Sequence, residues 1–199
     1  MIYRLFLEEP ALKVPTIDIC SGSGAGSKLL AIETGSHVVG VDYSRDAIEW
    51  ANEHNAHERL RFEQLDLTDR RSVKHLRRVI DDVGIEQAFF IEGIEHLPVV
   101  HSDRLIGLLL ESGVKRIRIS TPYEQPGKQA EVHHITPFTP DRFKEFEDRW
   151  GARVLCYLRF IDVANLNAFI DAGHQEAAVL RAFSTEDPAL AGSYLIQIG

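Results

Sequence analysis

Apolar residues along this chain switch repeatedly between the strand period of about 2 and the helix period of about 3.6. A short buried strand is expected over "PTIDIC", residues 15–20, followed by a helix over "GAGSKLLAIETG" with Leu29, Leu30 and Ile32 inward and Gly35 as its stop. "HVVGVD" reads as a second apolar strand. Ser44 suits the cap of the helix "RDAIEWANEH", which would bury Ala47, Ile48 and Ala51. "LRFEQLD" alternates like a third strand. From about Asp69 to Val83, the residues Val73, Leu76, Val79, Ile80 and Val83 form one apolar helical stripe. "QAFFIEGIEHL" opens as a buried strand, Ser102 is placed to cap "DRLIGLLLES", and Gly113 to stop it. "VKRIRIS" is a fifth strand. Thr139 and Pro140 begin a helix that buries Phe143, Phe146 and Trp150. "ARVLCYLRF" and "SYLIQIG" complete the strands.

Alternating strands and helices predict an α/β fold: a mostly parallel sheet with helices on both faces. The weaker helical pattern between the last two strands makes an antiparallel edge strand the expected ending. Residues 162–192 read as an irregular insertion before the last strand, with a short helix suggested by "NLNAFIDAG".

A length of 199 residues suits a single domain, 1–199, with a real core. Hydrophobic residues at 44% and charged residues at 26% are ordinary for a soluble globular chain. No apolar run approaches the ~20 residues of a membrane span. Glu8 and Glu9 interrupt the brief apolar N-terminus, so it does not read as a signal peptide. Two cysteines, Cys20 and Cys156, make no disulfide framework, and a reduced, cytoplasmic setting is expected. A net charge of −8 argues against a general nucleic-acid binder. Arg70, Arg71, Lys74, Arg77 and Arg78 line one helix face, but Asp69, Asp81 and Asp82 partly balance them and no aromatic residue is interleaved for base stacking.

The candidate chemistry begins where the first strand ends. Gly22, Gly24 and Gly26 alternate in the first strand-to-helix turn, the place where open parallel sheets bind ligands. Residues 20–26 therefore read as a cradle for a flat or extended ligand, the plain alternative being a tight turn. Asp42 ends the second strand, where a carboxylate can accept both hydroxyls of a ribose. Asp66 ends the third in the same way; it either reaches an adenine amino group or caps the following turn. A nicotinamide fingerprint needs a third glycine where Ser27 stands. Asp18 inside the first strand would repel a phosphate and suits a cationic ligand instead. S-adenosylmethionine, with an ammonium, a sulfonium and no phosphate, meets these conditions.

These residues resemble the class I S-adenosylmethionine-dependent methyltransferases, small-molecule subgroup. The family's first motif, an acid followed by three alternate glycines, matches Asp18, Cys20, Gly22 and Gly24, with Cys20 at the first glycine position. Its ribose acid matches Asp42 in "VVGVDYS" and its adenine-side acid Asp66 in "EQLDLTD". "FFIEGIEHLP" is similar to its fourth-strand motif, and "HHITPFTPDRFKEF" to the segment after its fifth strand, with His134 as the matching histidine. The resemblance implies a Rossmann-like, seven-stranded sheet. It implies a cofactor site of Asp18, Cys20, Ser21, Gly22, Gly24, Asp42, Tyr43, Asp66, Leu67 and Glu92. S-adenosyl-L-homocysteine would be the product. Family members carry one or two helices before the first strand; residues 1–14 offer a short lid-like segment, in which Tyr3 and Phe6 are candidates to pack over the site. A lid built from residues 123–133 and 162–192, or borrowed in a homo-oligomer, is the alternative.

Methyl transfer to a hydroxyl profits from a base near pH 7, and His134, His96 and Glu95 are the catalytic candidates. A metal is not expected: the pair His133 and His134 with Glu131 and Glu95 lacks a helical ligand spacing. "STPY", residues 120–123, reads as a turn rather than as the motif of amino-methylating nucleic-acid enzymes. The expected partner is a small-molecule acceptor, without membrane or nucleic acid. The runner-up is a non-catalytic cofactor-binding or partner subunit.

Overall fold

A computed structural model of the chain describes residues 13–122, 134–159, 184–185 and 191–199. In chain order the elements are β1 Thr16–Ile19, α1 Ala25–Thr34, β2 Val38–Asp42, α2 Arg45–His54, β3 Leu60–Gln64, α3 Arg70–Val83, β4 Gln87–Ile91, α4 Val99–Glu111, β5 Arg116–Pro122, α5 Pro140–Trp150, β6 Arg153–Arg159, β7 Ser184–Thr185 and β8 Ala191–Ile198. A 3-10 turn, Ile94–His96, sits between β4 and α4. No described helix is long and apolar enough to cross a membrane.

The strands form one sheet in the order β3-β2-β1-β4-β5-β8-β6-β7. β1 pairs in parallel with β2 on one side and β4 on the other. The chain therefore steps outward in one direction from β1 to β3 and resumes at β4 in the other. The carboxyl ends of β1 and β4 flank the resulting switch point, where ligands of such sheets bind. β8 runs antiparallel to both β5 and β6, as the weak helical pattern near the C-terminus predicted. Among the described residues the sheet has eight strands, where seven were expected: Ser184–Thr185, inside the stretch expected to be irregular, pairs with β6. The suggested helix "NLNAFIDAG" and the segment holding Tyr3 and Phe6 lie outside the described residues.

Successive strand residues point to opposite faces and enter two apolar layers. Ala88 and Phe90 join Leu76, Val79 and Ile80 of α3 and Leu105, Ile106 and Leu109 of α4, whereas Phe89 joins Leu30 and Ala31 of α1. At ~25 cal/mol per Å², these buried side chains supply the main folding force.

Local chemistry sets the helix ends. Ser44 accepts from the Ala47 N–H, and Thr139 from the Arg142 N–H, each as anticipated. Asp69 accepts from Arg71 and Ser72 at the start of α3. Two expectations need correction. Ser102 does not cap α4, which starts at Val99; it is buried within the helix and donates to the Val99 carbonyl. Ile32 faces outward, at 56% exposure, and the buried stripe of α1 is Ser27, Leu30, Ala31 and Thr34. Two of those four are polar, which hid the stripe from a count of apolar residues.

Candidate functional site

The chain turns sharply out of β1. Cys20, Gly22 and Gly24 all adopt positive φ, at 62°, 53° and 81°. Ser21 N–H donates to the Val41 carbonyl (3.0 Å) and Gly24 N–H to the Ser21 carbonyl (3.0 Å). Asp42 holds the loop to the end of β2: Gly22 N–H donates to Oδ2 and Ser44 N–H to Oδ1, both at 2.9 Å.

The glycines do different work. A Cβ on Gly22 would meet nothing within 4 Å, so its surface lies open for a ligand. A Cβ on Gly24 would meet the Phe62 ring at 2.4 Å and Ala51 at 2.8 Å. One on Gly40 would meet the same ring at 2.6 Å. A glycine is thus required at Gly24 by packing and by its left-handed backbone. Phe62, unremarked in the sequence, wedges into the space that both glycines leave.

Asp18 is fully buried and accepts from Ser27 Oγ at 2.5 Å, tying β1 to the first turn of α1. Ser21 is 7% exposed and its Oγ has no hydrogen-bond partner among the described residues. A buried hydroxyl without a partner is costly, and beside the open face of Gly22 it fits a polar ligand. Cys20 occupies a backbone region in which a glycine is at ease, which explains the family's glycine there. Burial, reinforced by Asp42, Glu95 and Asp18, pushes its thiol far above the ordinary range. That direction favours the thiol over the nucleophilic thiolate.

Around the loop, Tyr43 is 75% exposed, and its carbonyl accepts from Gln64 Nε2. Asp66 Oδ1 accepts from Thr68 N–H and Oγ1, so one oxygen does cap the following turn. Leu67 is buried.

Beyond β4 a second group of polar residues gathers. Glu92 has φ 50° and accepts from Ser120 Oγ; burial raises its pKa. Glu95 is 1% exposed, and Thr121 Oγ1 donates to its Oε2 at 3.3 Å. Burial, with Glu92 adding negative charge, raises the Glu95 pKa to about 7. His96 Nε2 stands 3.9 Å from Glu95 Oε1. His134 reaches in from the segment before α5, its ring 5.3 Å from that of His96 in an edge-on arrangement. The Thr136 N–H donates to the Glu95 carbonyl at 2.9 Å and secures that segment. The three catalytic candidates are therefore together. His133 and Glu131 lie outside the described residues.

The turn expected over "STPY" does not begin at Ser120 or Thr121. They belong to β5, where Ser120 pairs with Leu195 and Thr121 with Tyr194, and they orient Glu92 and Glu95. Nothing local in "STPY" announces partners that distant.

Residues 17–98 match the family model described as a methyltransferase domain. No curated protein sequence matches the chain. Among solved structures, a SAM dependent methyltransferase from Archaeoglobus fulgidus is similar with a TM-score of 0.60 at 18% identity, covering 98% of this chain and 90% of that chain. Geranyl diphosphate C-methyltransferase from Streptomyces coelicolor A3(2), in complex with Mg2+, geranyl diphosphate and S-adenosyl-L-homocysteine, gives 0.58 at 14% identity, covering 99% and 75%. The cyclase SpnF gives 0.61 at 14% identity, covering 98% and 78%. At these identities the likeness to solved structures is one of fold. The family match spans Asp18, the glycine loop, Asp42, Asp66, Glu92, Glu95 and His96 together, so this part of the chain, on this sheet order, is similar to a methyltransferase domain.

Proposed function

We propose that the chain moves the methyl group of S-adenosylmethionine to an oxygen or nitrogen of a small molecule, a sugar or a natural-product scaffold. One observation carries this reading: the glycine loop, Asp42 and the Glu95–His96 turn follow the ends of β1, β2 and β4, β1 is hydrogen-bonded to both other strands, and His134 joins His96 from the segment before α5. Cofactor and acceptor would meet at that switch point.

S-adenosylmethionine supplies an already activated methyl group on its sulfonium. In the proposed complex, Asp42 accepts the ribose hydroxyls on lone pairs that Gly22 and Ser44 leave open. Ser21 gains its missing partner. Cys20 lends backbone at the turn, and Gly22 and Gly24 keep the loop in shape. Tyr43, Asp66 and Leu67 flank the adenine. Asp18, buried behind the loop, and Glu92 supply negative charge toward the cationic amino-acid end. Holding acceptor and methyl group in line contributes ~7–11 kcal/mol. His134 takes the proton of the acceptor hydroxyl, with Glu95 and His96 beside it to stabilise the charge.

Small, partly apolar acceptors suit the rim. Val99 and Val100 follow the His96 turn and Ile135 follows His134, and the three are 44%, 69% and 63% exposed. The domain is read as one unit, residues 1–199, with 1–14 as a lid-like segment.

The test is an acceptor screen that follows S-adenosyl-L-homocysteine formation, repeated with His134→Ala. Turnover on a hydroxyl-bearing small molecule that falls in the variant supports the proposal. Cofactor binding without turnover on any acceptor favours the second reading, a non-catalytic binding subunit, which draws on the occurrence of this fold in a cyclase.

A further inference from the structure

Among the described residues, one set of His, Cys, Asp and Glu side chains brings three donor atoms together. Atoms of Glu95, His96 and His134 all lie within 4.8 Å of one another. We propose that Glu95, His96 and His134 bind a divalent transition-metal ion, and that the ion holds an oxygen of the methyl acceptor. The second half of this proposal rests on the reading that the cluster faces the acceptor; the first half does not.

The geometry is close to a site already formed. Two bonds of ~2.0–2.2 Å to one ion set donor atoms at most about 4.4 Å apart. His96 Nε2 and Glu95 Oε1 are 3.9 Å apart, within that limit. The 4.8 Å bound on the whole set leaves a small side-chain rotation to complete the triangle. No helical ligand spacing is needed here, because two ligands come from the turn after β4 and the third from the segment before α5.

The surroundings resemble a supported metal site. Glu95 is oriented from behind by Thr121 Oγ1, and its backbone carbonyl by the Thr136 N–H, as metal-binding carboxylates are usually held by outer partners. Glu92, on the same turn, offers a further carboxylate to the neighbourhood. Exposure is graded: Glu95 is buried at 1%, while the His96 side chain is 45% exposed. Three protein ligands with an accessible side leave a position open for an exogenous oxygen, the arrangement of catalytic rather than structural sites. Two imidazoles with a carboxylate favour a first-row transition ion over Mg2+ or Ca2+, which prefer oxygen alone.

In the ion-loaded site His134 serves as a ligand instead of the proton acceptor of the metal-free reading, because its imidazole lone pair is engaged in coordination. The cation then acidifies the acceptor O–H, whose proton passes to water while the oxygen keeps its electron pair. The acceptor class narrows accordingly to oxygen ligands of a metal, such as a hydroxyl flanked by a second oxygen.

The test titrates the full chain with Mn2+ by calorimetry and with Co2+ by visible absorption, beside a separate S-adenosylmethionine titration. The expected result is one ion per chain, a Co2+ spectrum typical of nitrogen and oxygen ligands, and at least a tenfold loss of affinity in His96→Ala and in Glu95→Gln. His96 is exposed enough that its variant tests the site even where Glu95→Gln does not fold. A chain that binds S-adenosylmethionine but neither Mn2+ nor Co2+ overturns the metal site and leaves the methyltransferase reading intact. Ion binding unchanged in His96→Ala also overturns it. Ion binding lost in the variants, with no S-adenosylmethionine bound by the parent, keeps the metal site and contradicts the methyltransferase reading.

Discussion

Asp42 accepts a hydrogen bond from the Gly22 N–H across 20 residues of sequence, and so fastens the glycine loop to the end of β2. The same carboxylate that the family pattern assigns to ribose is thus part of the loop's own support. Replacing it removes a ligand contact and loosens the cradle together. Asp42→Ala is expected to weaken S-adenosylmethionine binding by roughly 1–3 kcal/mol, the range for hydrogen bonds to a charged group. Calorimetry on the variant checks this, and an unchanged affinity removes Asp42 from the ribose site.

The two loop glycines are expected to fail differently. Gly22→Val places a side chain in open space and costs the fold about 1–2 kcal/mol of backbone strain, yet it abolishes cofactor binding by occupying the cradle. Gly24→Ala drives a methyl group into Phe62 and Ala51 and costs at least about 1–3 kcal/mol of stability. Thermal unfolding and calorimetry on the pair separate the effects. Equal stability losses with equal binding would contradict this division of labour.

Cys20 holds a left-handed backbone at φ 62° with a half-buried thiol whose pKa is pushed up. Cys20→Gly is therefore expected to relieve strain, to raise stability by about 1 kcal/mol and to leave S-adenosylmethionine affinity unchanged. Denaturant unfolding measures the first and calorimetry the second. A large loss of affinity would give the side chain a role that its surroundings do not suggest.

His134 lies beside His96, in what the proposed reading makes the acceptor half of the site. His134→Ala should lower turnover on an identified acceptor much more than it lowers S-adenosylmethionine affinity. Comparing kcat with the calorimetric Kd tests this; an unaffected kcat places the base elsewhere.

Local signals in the sequence were readable and distant ones were not. Ser44 and Thr139 cap their helices because a cap involves residues three apart. Ser102 misled because α4 starts at Val99, after a proline with no side-chain cap. The inward stripe of α1 was obscured by Ser27 and Thr34, polar residues satisfied by Asp18 and by the Leu30 carbonyl. Asp42 and the open face of Gly22 followed from their positions at strand ends. The support of Glu92 and Glu95 by Ser120 and Thr121 spans 28 and 26 residues and depends on the pairing of β4 with β5. The wedge of Phe62 against Gly24 and Gly40 likewise exists only once the sheet has formed.

The most direct measurement is a calorimetric titration of the purified chain with S-adenosylmethionine, S-adenosyl-L-homocysteine and NADH. Micromolar binding of the first two, and none of the third, is the predicted result. Binding of NADH, or of none of the three, would contradict the assignment of the glycine loop and Asp42 to S-adenosylmethionine.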